Sequence, residues 1–348
     1  MRLGLNLGYW GAGHDADNLA LAQEADRIGY AVCWAAEAYG SDAPTVLTWV
    51  AAHTRRIDVG SAVMQIPARS AAMTAMTAAT LDVLSAGRFR LGLGVSGPQV
   101  SEGWHGVAFA DPLGRTREYV EVVRLALDGA PVAHEGRHFA LPLPGGAGKP
   151  LRLTVAPIQE RVPVYLAALG PQNLELAGEI ADGALLVFFA PEHSTDQLAS
   201  LAVGRERAAA GERGLGPLDL AVTVPVVLGP DPVVCADEVR SYAALYLGGM
   251  GSRTQNFYNR LAHRMGFGDA AAAVQDAYLA GRPRDAAALV PYEFLDQTSL
   301  LGPAERVADR LDAYAAAGVT TLTVAPHGRT ASEQAAVLRA VVDGRDAS

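Results

Sequence analysis

One pattern recurs along this chain and restricts its fold more than any other feature: a helical stretch rich in Ala and Leu, a glycine, then a short apolar run. Asn18 to Ile28 ends at Gly29 and leads into Tyr30 to Ala36, and Leu81 to Ala86 passes through Gly87 into Phe89 to Val95. Leu174 to Ala181, Asp182-Gly183 and Ala184 to Phe189 keep the order, as do Val307 to Ala317, Gly318 and Val319 to Ala325. A glycine just past a helix supplies the left-handed residue that ends it, and an unbroken apolar run suits a parallel strand covered on both faces. Leu3 to Tyr9, Ile57 to Met64 behind a helix at Pro44 to Thr54, Val162 to Ala168 and Ala221 to Leu228 extend the series. The total is about eight strands alternating with helices, the number of a closed barrel; an open doubly wound sheet more often stops at about five or six. The fold class predicted is therefore α/β, a (β/α)8 TIM barrel formed by residues 1–348 as one domain, with insertions near 97–112, 131–154 and 247–296, the second hairpin-like around HEGRHF (134–139).

In such a barrel the ligand site lies at the C-terminal ends of the strands, so loops that follow strands carry function. The segment after Phe89 to Val95 holds Gly92, Gly94 and Gly97 in the spacing G-x-G-x-x-G. A dinucleotide fingerprint needs a phosphate-binding helix opening there, and Pro98 and Gly103 argue against it. The reading is instead a strand end followed by a loop, Gly97 to Pro112, that overhangs the site with Trp104 and His105. Another strand, Val162 to Ala168, runs into Leu169-Gly170-Pro171, where Pro171 suits the first turn of a helix. Free N–H groups at that helix start would cradle a phosphate without a basic side chain; the alternative is an ordinary turn between strand and helix.

Half of the 348 residues are apolar, enough for a large core. A formal net charge of -9 argues against nucleic acid or an anionic membrane as partner and for a small-molecule substrate. Cys33 and Cys235 form no C-x-x-C pair, so neither a disulfide nor a metal site is expected. The N-terminus alternates like a strand and is too short for a signal-peptide core, and no apolar run approaches the roughly 18 residues of a membrane span. A cytoplasmic location is expected. H-E-x-x-H, P-loop and G-x-S-x-G motifs do not occur, which leaves metal-dependent, nucleotide and serine hydrolysis without support.

Five blocks carry a resemblance: WAAEAYGSDA (34–43), VGSAVMQIPAR (59–69), LGLGVSGPQVSEGWHG (91–106), PLGRTREY (112–119) and the segment ending ADG (181–183). In order and spacing they resemble the luciferase-like flavin and deazaflavin oxidoreductase superfamily, above all its coenzyme F420-dependent branch, which includes methylene-tetrahydromethanopterin reductase. The match weakens across 190–300. The resemblance implies a (β/α)8 barrel, usually a homodimer, with F420 as cofactor, or alternatively FMN, its ring deep in the mouth and its phosphate on the loop after the fifth strand. It places Glu37 near the ring, a non-prolyl cis peptide at Ala62-Val63 behind it, Gln65 as a polar cofactor contact, Val95, Ser96 and Gly97 beside the ring, and Leu169 and Gly170 on the phosphate. Two departures matter. Several relatives have a histidine where this chain has Ala38, and the sugar-phosphate dehydrogenases have a glutamate where it has Gly97. Oxidation of a sugar-phosphate alcohol is thereby disfavoured.

The residues named for proton transfer are Glu37, whose carboxylate sits at a strand end beside an apolar floor where burial would raise its pKa, Tyr9 at the end of the first strand, and His105 on the insertion loop. Trp10, Trp104, Phe188 and His327 are candidate substrate walls at strand ends. Arg115 and Arg117 are placed to meet an anionic cofactor tail or to form surface salt bridges. The expected reaction is hydride transfer between C5 of the deazaflavin and an unsaturated C=C or C=N substrate, the cofactor supplying the chemistry. The alternatives are an FMN-dependent monooxygenase and a flavin-binding protein without turnover.

Overall fold

Residues 1–8, 10, 15–211 and 214–347 are described by the structure, a computed structural model. Among them, eight parallel strands close a ring: β1 (Arg2–Asn6), β2 (Val32–Ala35), β3 (Asp58–Ser61), β4 (Phe89–Gly94), β5 (Val164–Ala167), β6 (Gly183–Val187), β7 (Asp219–Leu228) and β8 (Thr321–Pro326). Each strand pairs with the next, and β8 returns to β1 in the register Arg2↔Thr321 through Leu5↔Val324. Three of the four copies have the predicted backbone, Gly29, Gly87 and Gly318 carrying φ of +88°, +80° and +85° between a helix and the strand it feeds; at the fourth, Gly183 is the first residue of β6, bare where Tyr165 packs, and has no left-handed φ. Helices Asp15–Ile28, Ala43–His53, Ala71–Leu84, Pro112–Leu127, Pro171–Ile180, Thr195–Ala210, Pro232–Ala244 and Ala331–Ala347 follow the eight strands in turn. Side-chain caps fix where several begin: Asp42 accepts from Thr45 N, Ser70 from Met73 N and Asp231 from Val233 N.

The barrel interior is filled in layers. At the N-terminal end of the strands, Asp219 pairs with Arg2 at 2.8 Å and Arg90 at 3.4 Å and accepts from Tyr165 Oη at 2.7 Å and Thr321 Oγ1 at 2.8 Å. Above this polar plug lies Trp34, fully buried and edge-on to Tyr165 with ring centroids 5.2 Å apart. The indole fits because β3 is bare at Gly60, where a Cβ would lie 2.3 Å from the Trp34 ring. Higher still, the Ser61 carbonyl oxygen fills the space beside Gly92, where a Cβ would sit 1.8 Å away. Two glycines of the G-x-G-x-x-G motif thus serve barrel packing, since a Cβ on Gly94 would meet Val63 Cγ2 at 2.5 Å.

The three inserted segments differ in build. The one near 97–112, predicted as a loop, contains helix Pro98–Gly103, because Pro98 fixes the first helical φ and Gly97 is extended before it. The one near 131–154 holds the hairpin expected there, His134–Glu135 against Ala140–Leu141. Glu118 fastens it by accepting from the backbone N–H groups of Arg137, His138 and Phe139. After helix Pro232–Ala244 a π-helical turn, Leu245–Gly249, leads into helices Phe257–Arg264, Gly268–Leu279, Pro283–Ala288 and Tyr292–Thr298. These bury their own apolar cluster around Val239, Leu261, Val274 and Phe294. The chain then adds a short strand, Leu300–Gly302, to the end of β7 and returns through helix Ala304–Ala316 to β8. Among the described residues no helix is long and apolar enough to cross a membrane, and Cys33 and Cys235 are both buried and unpaired.

Candidate functional site

The C-terminal ends of β2, β3 and β4 are tied together by polar side chains. Glu37, just past β2, has a side chain only 7% exposed. Its Oε1 accepts from Arg69 Nη1 at 2.6 Å and Gln65 N at 3.3 Å, and its Oε2 from Ala43 N at 3.1 Å. Arg69 also pairs with Asp42, the cap of the same helix. Gln65 is buried; its Nε2 donates to Ala38 O at 2.6 Å and its Oε1 accepts from Ser96 Oγ at 2.9 Å. The order Ala38, Gln65, Ser96 crosses three strand ends in one hydrogen-bonded line. Between them the Ala62–Val63 peptide is cis, and Val63 lies against the bare face of Gly94. Ser96 has φ +61°, a left-handed conformation that non-glycine residues hold only where the surroundings enforce it. It is aimed by Gln65.

One strand further on, β5 ends in Ala168, Leu169 and Gly170. Helix Pro171–Ile180 begins there with no side-chain cap, and a Cβ on Gly170 would touch nothing within 4 Å. Its first N–H groups thus have no side-chain cap, the condition in which a helix start can hold an anion. Arg264, at the end of the inserted helix Phe257–Arg264, reaches this turn and donates to Leu169 O at 2.9 Å. Incomplete hydration and the neighbouring Arg260 lower its pKa, the mark of a guanidinium without a facing carboxylate.

The other residues singled out in the sequence are scattered. Phe188 is 4% exposed with φ +52° and packs against Tyr242, Tyr246 and Phe294 with centroids 5.3, 5.5 and 5.7 Å away. It is the hub of the inserted cluster rather than an open substrate wall. Trp104 is 67% exposed at the end of helix Pro98–Gly103. His105 is half-buried with Nε2 hidden and unpartnered. Trp10 is half-buried on the main core, its N–H donating to Ser41 Oγ at 3.1 Å. His327 follows β8; burial lowers its pKa despite Glu238, leaving a neutral imidazole at neutral pH. Tyr9 lies outside the described residues. Both Glu37 oxygens are occupied, one by Arg69 and Gln65 N and the other by Ala43 N, an arrangement that fixes the carboxylate in place. Arg69 and Arg264 were missed in the sequence. Arg69 stands beside a helix-capping serine, a weak signal, while Arg264 meets its turn only through the fold.

A closed (β/α)8 barrel with ordered polar groups across its C-terminal strand ends and an uncapped helix start beside them defines an enzyme that works on a bound small molecule at that mouth. Within that class, the chain belongs to the luciferase-like monooxygenase family, whose model matches residues 9–321. A Mycobacterium tuberculosis protein named as a coenzyme F420-dependent oxidoreductase is 39% identical over 329 residues, 93% of this chain and 94% of its own. A 5,10-methylenetetrahydromethanopterin reductase of Methanolobus tindarius is 32% identical over 54% of this chain and 55% of its own. In fold, the coenzyme F420-dependent tetrahydromethanopterin reductase of Methanopyrus kandleri superposes with a TM-score of 0.81 at 24% identity, covering 99% of this chain and 97% of that one. Among the described residues no group of three or more His, Cys, Asp or Glu could hold a metal ion.

Proposed function

We propose that this oxidoreductase binds coenzyme F420 at the barrel mouth and moves a hydride between the deazaflavin C5 and a C=C or C=N bond of a small organic substrate. The observation that carries the reading is the adjacency of two prepared surfaces. One is the Ala38–Gln65–Ser96 line with Val63 seated on Gly94; the other is the open helix start at Gly170 with Arg264 beside it. The first suits a planar ring lying close to backbone, the second a phosphate on that ring's side chain. When bound, the deazaflavin supplies or accepts the hydride. The chain's own residues do the rest. Gln65 and Ser96 orient the ring edge, Leu169 and Gly170 present N–H groups to the phosphate, and Arg264 neutralises it. Glu37, clamped by Arg69, holds the end of β2 in position. Ala38 and Gly97 stand where relatives carry a histidine and a glutamate, so the accompanying proton comes from another side chain at the mouth or from water. The names of the relatives favour F420 over FMN. Both buried cysteines being free accords with a reducing cytoplasm.

The test is a titration of cofactor-free protein with F420 and with FMN, followed by anaerobic mixing of reduced F420 with enones and imines. Micromolar binding of F420 and its reoxidation by an unsaturated acceptor are expected; tight FMN binding with none for F420 would overturn the reading. Arg264→Gln should weaken F420 about tenfold, the value of one charge-assisted hydrogen bond, and leave a deazaflavin lacking the phosphate unaffected.

A further inference from the structure

Of the two arginines at the start of helix Pro112–Leu127, Arg117 is committed: it holds Glu179 through two bonds of 2.6 and 2.7 Å. Arg115 is not. Its guanidinium lies over the Phe139 ring at 5.6 Å, its Nε is buried without a hydrogen-bond partner, and among the described residues it makes no ion pair. The nearby carboxylates are taken. Asp111 caps Gly114 N and meets His138 and Arg137, and Glu118 receives three N–H groups of the hairpin. Arg115 instead lines a crevice whose walls are apolar, among them Ile66, Pro67, Val95, Val107 and Phe109. The outer wall is built, not loose. Ser101 Oγ donates to Val107 O at 2.7 Å, Val107 N to Ser101 O at 2.9 Å and Phe109 N to Glu102 Oε1 at 2.9 Å, while the Phe109 ring reaches Phe257 of the insertion. Val95, one wall of the crevice, is the chain neighbour of Ser96, which places that wall beside the strand ends that carry the proposed ring site.

A permanently charged planar donor fork against an apolar wall is completed by an oxyanion. Arg264 already attends the turn after β5, which leaves Arg115 for a second anion. We propose that this crevice seats the carboxylate of the substrate, making the preferred substrates small unsaturated acids with an apolar body. Calling the ligand a substrate rests on the function proposed above; the preference for a carboxylate does not.

The experiment compares trans-2-hexenoate with its neutral amide, trans-2-hexenamide, by calorimetric titration of the protein with and without F420, for the wild type, Arg115→Gln and Arg115→Lys. Binding of the acid at least tenfold tighter than the amide, lost in Arg115→Gln and largely kept in Arg115→Lys, is the expected result. Equal binding of acid and amide, binding of neither, or an acid preference that survives Arg115→Gln would overturn it. A third arm titrates intact F420 against the deazaflavin stripped of its phosphate and acidic tail. If Arg115→Gln weakens only the intact cofactor, the arginine serves the cofactor's tail and the substrate assignment falls. Acid preference is read as binding without turnover, so a failure of F420 to bind would sink the proposed reaction while leaving the crevice's selectivity to be judged separately.

Discussion

A methyl group at position 92 would lie 1.8 Å from the Ser61 carbonyl oxygen, whereas one at position 97 would meet nothing nearer than Gln99 Oε1 at 3.5 Å. Gly92→Ala should therefore lose several kcal/mol by forcing β3 and β4 apart, and Gly97→Ala should stay within about 0.5 kcal/mol of the wild type, both measured by denaturant unfolding. The motif's spelling is identical at the two positions, and only the fold separates a packing glycine from a site glycine. Asp219 is equally silent in sequence, one acidic residue at the start of an apolar run. Burial alone would raise its pKa, but hydroxyls of Thr320 and Tyr165 and the charge of Arg2 hold it below the usual carboxylate range. Its contribution is complete above the ordinary aspartate pKa and disappears as pH falls through the lower folded value. Thermal unfolding of the wild type should thus decline below about pH 4. Asp219→Asn should be less stable at neutral pH by roughly 1–3 kcal/mol, because Arg2 and Arg90 lose the buried carboxylate between them while Asp58 still pairs with Arg90, and should show a flatter acid limb.

At the scale of elements, the alternation of helix, glycine and strand was readable because its signals are local: apolar period, a left-handed glycine, a proline or capping residue at the next start. Pro171 marked a helix correctly, and the hairpin around Gly136 was visible in its polar turn. Helix Pro98–Gly103 was not, since six residues between glycines give too little period to read. Contacts between distant elements were hidden for a different reason. Asp82, the lone charged residue of helix Ala71–Leu84, is fully buried and accepts from Ile158 N at 2.7 Å, Gln159 N at 2.9 Å and Gln159 Nε2 at 2.6 Å. It anchors the segment that leads into β5. Asp82→Ala should destabilise by about 1–3 kcal/mol through three donors left without an acceptor, and proteolysis should then begin between the hairpin and β5.

For the molecule as a whole, the outward faces of helices Ala43–His53 and Ala71–Leu84 expose Trp49, Met73, Met76 and Leu84 and carry no lysine, arginine, aspartate or glutamate. Exposed apolar side chains on adjacent helices suit an interaction surface, and the homodimer that the family resemblance implies would cover them. Light scattering should give a dimer for the wild type and a monomer for Met76→Glu, with the barrel's circular dichroism unchanged; a wild-type monomer would refute it. The pairing of Leu3 with Leu322 joins the first strand to the last. During folding β1 can pair with β2 early, but its other edge stays open until β8 is made. Until β8 emerges, the unfinished sheet presents two open edges able to recruit neighbouring nascent chains. Closure of the first strand on the last is thus the step on which escape from such recruitment depends.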